Sequence, residues 1–261
     1  MFEGKSLRDK LTADYLSLGM FNLSSDPSIA ELLSGAGFDF VIIDAEHGAL
    51  SIETIQTLLM AFKGSETVPM VRVPSHDHVF IKRVLDAGAG GIVIPQVRSV
   101  EEVRLGVSAC LYPPDGTRGV GPRRPSNFYR DVSECAKPAN QHIVIWAQIE
   151  HIAAIREIDQ IVRVPRLDGV LPGPHDLAAS MNLVGEPGHP EVIDAIERMR
   201  QAAAGAGIAA GMAGGIDSET NIASLKHGFQ FLTLGNLYSL LNAATQEMVE
   251  QVRRYATSSE S

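Results

Sequence analysis

The sequence predicts an α/β chain folded as a (β/α)8 TIM barrel, on three observations. Short apolar runs rich in Val, Ile and Phe recur along the chain, each followed by a segment with helical spacing, the pattern of a parallel sheet covered by helices. Eight such runs fit into 261 residues, the size of one barrel. No GxGxxG follows the first run, which disfavours the alternative of an open doubly wound sheet.

The elements follow in order. The first run is YLSLGMF (15–21), and Asp26 with Pro27 supplies an N-cap and a proline at the first position of the next helix. The second, FDFVIID (38–44), is followed at once by Glu46 and His47, and the third is VPMVRV (68–73). After the fourth, GGIVIP (90–95), Ser99 and Glu102 form a capping box before EEVRLGVSAC. The stretch from 112 to 130, YPPDGTRGVGPRRPSNFYR, holds too much Pro and Gly for a regular element and is expected to be a long loop. HIVIWAQIE (142–150), LDGVLPG (167–173) and GIAAGMAG (207–214) are the next strands, and Asp217 or Ser218 caps a helix running to Gly228. FQFLTLG (229–235) is the eighth strand, before a C-terminal helix over about 237–256. With no linker and no further repeat, residues 1–261 read as a single domain.

Composition narrows the function. A net charge of -9 argues against nucleic acid, which demands a basic stripe to displace counterions. The N-terminal 19 residues lack the continuous apolar region of a signal peptide, and no apolar run is long enough for a membrane span. The two cysteines, Cys110 and Cys135, form no CxxC and have no histidines clustered near them, so a reducing, cytoplasmic compartment is expected.

In a barrel the C-terminal strand ends carry the site. That rule gathers Asp44 and His47 after strand two, Arg72 on strand three, Gln148 and Glu150 on strand five, and His175 and Asp176 after strand six. Glu150 and Asp176 are the candidate metal pair, two carboxylates suited to Mg²⁺ or Mn²⁺ rather than zinc. The alternative is that each caps the helix that follows it. His47 suits proton transfer, or a structural role at the start of its loop. Arg72 stands where a buried strand predicts an apolar residue, and suits oxyanion stabilisation or an ion pair with Asp44. Main-chain N–H groups after Gly173 and Pro174 open a helix that could cradle an anion. Arg118, Arg123 and Arg124 could grip an anionic second substrate or line a solvated loop.

Together DAEHG, VRVP, KRVLDAGAGGIVIPQV, YPPDGTRGVG, QIE, PGPHDLAASM and GEPGHPEV resemble the HpcH/HpaI aldolase family from about residue 16 to 250. The resemblance implies a class II pyruvate aldolase with a divalent metal (Mg²⁺, Mn²⁺ or Co²⁺) and no organic cofactor. It joins a 2-oxo acid, as its enolate, to an aldehyde. It implies Glu150 and Asp176 as metal ligands, Gln148, Gly173, Pro174, His175, Phe21 and Ala213 as substrate contacts, Arg72 as enolate stabiliser and His47 as proton carrier, with Asp44 orienting Arg72 or His47. It also implies that Asp86 raises the basicity of that histidine. Asp86 lies near the end of a helix that runs away from the catalytic rim, so it is expected to serve a neighbouring subunit of a homo-oligomer, a hexamer built as a trimer of dimers. Apolar residues at 240, 241, 244, 248 and 252 mark the C-terminal helix as one that could be exchanged between subunits.

Three departures bear on specificity: His175 replaces a small residue, Phe21 stands where some members carry tryptophan, and TLGNLYSLL is shorter than its counterpart. They leave open hydroxypyruvate in place of pyruvate. Oxaloacetate decarboxylation is an expected side activity, and the competing readings are an acyl-CoA ester lyase and a barrel that only binds a keto acid.

Overall fold

The computed structural model describes residues 7–12, 15–121 and 123–258; the signal-peptide reading falls in part on residues outside that set. Helix α1 (Leu7–Thr12) precedes β1 (Ser17–Asn22), and the chain then alternates through α2 (Pro27–Ser34), β2 (Phe40–Asp44), α3 (Ile52–Ala61), β3 (Val68–Arg72), α4 (His78–Asp86), β4 (Gly91–Ile94) and α5 (Val100–Cys110). After an irregular segment come α6 (Val132–His142) and β5 (Val144–Ile149), then the short α7 (Ile152–Arg156) and α8 (Ile158–Ile161) before β6 (Gly169–Pro172). Helices α9 (Pro174–Ser180) and α10 (Pro190–Ala206) lead to β7 (Ala209–Gly214), α11 (Ser218–Lys226) to β8 (Phe231–Asn236), and α12 (Leu237–Ser258) follows. The strands pair in sequence order, all parallel, and β8 pairs back onto β1. This closure excludes the open-sheet alternative.

The predicted caps form. Asp26 accepts from Ser28 N–H at 2.8 Å, and Asp217, rather than Ser218, accepts from Thr220 N–H at 2.8 Å. Ser99 accepts from Glu102 N–H at 3.3 Å, while Glu102 reaches Arg98 N–H at 2.6 Å, one residue earlier than a capping box specifies.

Alternation along each strand sends one set of side chains outward to the helices and the other into the barrel. The inward set is an apolar cluster that includes Phe40, Ile42, Val68, Met70, Val144, Trp146, Leu171 and Phe231. Trp146 stacks on Phe231 with ring centroids 4.0 Å apart and meets Phe40 edge-on at 4.9 Å. Such rings fit because Gly19 and Gly211 face them: a Cβ at either position would overlap Phe40 or Phe231. Leu7 and Leu11 of α1 join this cluster, and Arg8–Asp168 (2.8 Å) and Lys10–Asp39 (2.6 Å) tie the helix across the N-terminal rim.

The same inward rows, continued upward, deliver the polar residues. Asp44 follows Phe40 and Ile42, Arg72 follows Val68 and Met70, and Gln148 follows Val144 and Trp146, each two residues on and therefore on the same face. Strand direction makes this end of the barrel the one that carries the site.

Candidate active site

A chain of hydrogen bonds crosses the mouth. Arg72 donates to Asp44 through Nε (2.9 Å to Oδ1) and Nη2 (2.6 Å to Oδ2), and through Nη1 to Gln148 Oε1 at 3.3 Å. Gln148 Nε2 donates to Glu150 Oε2 at 3.0 Å, and Gln96 N–H donates to Glu150 Oε1 at 2.6 Å. Asp44, Arg72, Gln148 and Glu150 are all buried. Burial opposes the charge on Arg72, but the hydrogen bonds and charge of Asp44, with Glu46 and Glu150, more than offset it and raise its pKa. The ring centroid of Phe21 lies 4.8 Å from the guanidinium carbon, a cation–π contact.

The turn after β2 explains why a strand ends in three titratable residues. Asp44 Oδ1 accepts from the main-chain N–H groups of Glu46 (3.1 Å) and His47 (3.3 Å), so one carboxylate both clamps Arg72 and shapes the turn. His47 is left 57% exposed at the mouth. Glu46 turns inward: its Oε2 is 3.3 Å from Arg72 Nη1 and 3.8 Å from His47 Nε2. Burial raises the Glu46 pKa, with Arg72 and His47 acting against that and Asp44 and Asp176 adding to it.

The capping alternatives for the metal pair do not hold. His151, not Glu150, caps α7, accepting from Ala153 N–H at 3.1 Å. Helix α9 starts at Pro174 with Gly173 as its N-cap residue, so Asp176 sits inside the first turn with an exposed side chain. Glu150 is pushed up to about 7, first by burial, with Gln96 N–H and Arg72 lowering it and the charges of Glu46 and Asp176 raising it. Glu150, Glu46 and the exposed Asp176, the last of which raises the pKa of the other two, suit a divalent cation with oxygen ligands. Gly173 completes this cradle, because a Cβ there would overlap Glu150 Oε2. Among the described residues no three His, Cys, Asp or Glu side chains form a closed cage.

His175 is exposed beside Asp176, and Ala213, at the end of β7, is half-buried. Asp86 does not join this mouth. It ends α4 at the opposite rim, where the following turn pairs Gly90 N–H with Pro69 O at the start of β3. The arginines of the long loop lie there too. Arg118 is buried and pairs with Asp86 at 2.6 Å, Arg124 donates to Ala87 O at 2.8 Å, and Arg123 donates to Gln56. Neither the solvated loop nor a grip on a substrate at this chain's own mouth describes Arg118.

Gln96 escaped the sequence reading, although the strand-end rule could have pointed to it two residues after β4; its left-handed backbone, φ 54°, aims its N–H at Glu150.

An eight-stranded parallel barrel with an arginine–carboxylate pair and buried carboxylates at one mouth is the frame of an enzyme active site. The family model described as HpcH/HpaI aldolase/citrate lyase matches residues 17–243, and the chain belongs to this family. It is 34% identical over 244 residues to 5-keto-4-deoxy-D-glucarate aldolase of Escherichia coli O9:H4 (strain HS), covering 94% of this chain and 95% of that one. The crystal structure of an HpcH/HpaI aldolase from Desulfitobacterium hafniense DCB-2 superposes with a TM-score of 0.88 at 33% identity, over 95% of this chain and 96% of the other. That of the citrate synthase SbnG does so with a TM-score of 0.88 at 27% identity, over 97% and 100%. Among the described residues no helix is long and apolar enough to cross a membrane.

Proposed function

We propose that this chain is a divalent-metal-dependent aldolase that reversibly joins pyruvate, or hydroxypyruvate, as its enolate, to an aldehyde. The observation that carries this reading is the hydrogen-bonded line Asp44–Arg72–Gln148–Glu150 at one barrel mouth. The name of the E. coli relative, an aldolase of an oxidised sugar acid, supports the same reaction class. Glu150 and Asp176 would hold Mg²⁺, Mn²⁺ or Co²⁺, which when bound polarises the substrate carbonyl and offsets enolate charge; no organic cofactor is invoked.

The chain's own residues do the rest. Arg72, locked by Asp44, stands as a fixed cation beside the oxygen on which enolate charge develops, at no cost in reorganisation during the reaction. Gln148 and the main chain from Gly173 through Pro174 to His175 orient the 2-oxo acid, while Phe21 and Ala213 shape the apolar wall. His47, exposed where the second substrate would enter, takes the proton of the aldol hydroxyl in cleavage and returns it in synthesis. Asp86 would act on His47 of a neighbouring subunit. The exposed apolar residues of α12, among them Leu240, Leu241, Met248 and Val252, fit exchange of that helix within a homo-oligomer, read as a hexamer. Oxaloacetate, which reaches the same enolate by losing CO₂, is expected as a side substrate.

Exchange of the pyruvate methyl protons with D₂O, followed by NMR, tests the reading. Exchange that requires Mg²⁺ or Mn²⁺ and is lost in Glu150→Ala and Asp176→Ala is the expected result. No exchange of pyruvate or hydroxypyruvate under any metal would overturn it.

A further inference from the structure

The long segment between α5 and α6 folds back onto the N-terminal rim. Asn140 of α6 binds Tyr112 on both main-chain faces, accepting from its N–H at 2.8 Å and donating to its carbonyl at 2.9 Å. Thr117 N–H then donates to Ser108 O (2.8 Å) and Arg118 N–H to Leu111 O (2.9 Å), returning the chain to the end of α5. These bonds fix where the Arg118 side chain starts, and the ring of Tyr112, 4.3 Å from its guanidinium carbon, fixes where it lies.

The consequence is an asymmetric carboxylate. Arg118, whose side chain is 1% exposed, spends Nη2 on Asp86 Oδ1 at 2.6 Å. Among the described residues Asp86 Oδ2 accepts no hydrogen bond, and the Asp86 side chain remains 19% exposed. A buried arginine holds one oxygen in place and leaves the other, which lies beside Gly121, without a hydrogen bond among the described residues, at a rim remote from this chain's own mouth. Burying a guanidinium for a single ion pair is expensive, and its Nε goes without a partner. A purely structural tie at a helix end would not require that expense.

We infer that Arg118 is a positioning residue: it orients Asp86 so that Oδ2 meets His47 of a neighbouring subunit. The inference rests on the proposed service of Asp86 to that histidine and extends it to the group that aims the carboxylate. Charged and titratable groups around Asp86 are Arg118, Lys82, Arg123 and Tyr112, with Arg124 donating its main-chain N–H to the Asp86 carbonyl. Burial raises the Asp86 pKa, and Arg118, Lys82 and Arg123 act against it. Arg118 therefore also favours the ionised form that a histidine partner requires.

The test reads His47 directly. The intact oligomer is labelled with ¹³Cε1-histidine, the His47 resonance is assigned through His47→Asn, and its titration is followed in wild type, Asp86→Asn, Arg118→Met, Arg118→Gln and the double variant Asp86→Asn/Arg118→Gln. Loss of an ion partner at close range lowers a histidine pKa by about one unit. The expected result is that fall in Asp86→Asn, an equal fall in the Arg118 variants, and no further fall in the double variant. Coulomb's law alone would raise the His47 pKa when a cation is removed, so the sign separates aiming from mere charge. Circular dichroism and oligomer size select whichever Arg118 variant folds as wild type, and Arg118→Lys is expected to recover part of the shift. A fall in Asp86→Asn with no change or a rise in the Arg118 variants overturns the role of Arg118 alone. An unchanged titration in Asp86→Asn overturns the partnership with His47 and this inference with it, while leaving the proton-exchange test of the aldolase reading standing.

Discussion

Arg72 and Asp44 are joined fork to fork across neighbouring strand ends, with both Asp44 oxygens engaged. The pairing uses strand register: Asp44 is the Cα partner of Arg72 in the β2–β3 ladder, so the two side chains leave the sheet side by side on the same face. The pair is buried.

Asp44→Ala is expected to strand the Arg72 charge in a buried site and to loosen the turn that carries Glu46 and His47. Breaking a buried pair from one side costs about 3 kcal/mol or more. Urea denaturation should show that loss, and pyruvate proton exchange should fall with it, whereas Arg72→Lys should retain more stability than exchange because lysine keeps the charge without the fork.

Stability of the metal-free protein should fall as pH rises through the interval from about 4.5 to about 7. Glu150 binds its proton more tightly folded than unfolded, since its pKa goes from 4.5 to about 7, so the folded state gains from protonation and loses that gain on ionising. Chemical denaturation at pH 5 and pH 7.5, on wild type and Glu150→Gln, checks this: the variant should show a smaller fall. Metal binding should weaken about tenfold per unit below pH 7, because the ligand must first give up its proton.

Gly173→Ala should disturb the proposed metal pair more than the fold. The new methyl would meet Glu150 Oε2 and lie 2.8 Å from Glu150 Cβ, displacing the carboxylate, while the backbone at φ -108° accepts alanine without strain. Calorimetric titration with Mn²⁺ is expected to show at least a tenfold loss of affinity, with a stability cost of about 1–3 kcal/mol.

Mixing subunits tests whether Asp86 works in trans. His47→Ala and Asp86→Ala proteins, each impaired alone, should regain activity when unfolded together and reassembled, because a mixed assembly contains sites with both groups intact. A double variant carrying both changes in one chain should not be rescued by itself. Mixtures no better than their components would sink the idea.

How much of this was legible in the sequence depended on distance along the chain. The eight strands were legible because burial on both faces leaves continuous apolar runs such as Phe40–Ile43, and the helix starts because Asp26 and Asp217 act on residues two or three away. The gathering of Glu150, Asp176 and Arg72 at one rim was legible because a barrel sends strand ends there. Arg118 was not, because its partner lies 32 residues away and reaches it through a loop with no periodicity. That Glu46 Oε2 would lie between Arg72 and His47 follows from the fold of the turn, which spacing does not encode.

The stacked rings of Trp146 and Phe231, with Phe40 set against them, divide the barrel into two storeys. Below them apolar side chains interlock, with glycines matched to rings, so change there is punished one residue at a time. At the upper rim, exposed residues such as His175 bear little of the folded state's weight. A lineage that inherits this floor can exchange such residues singly in exploring new substrates, each trial leaving the foundation intact.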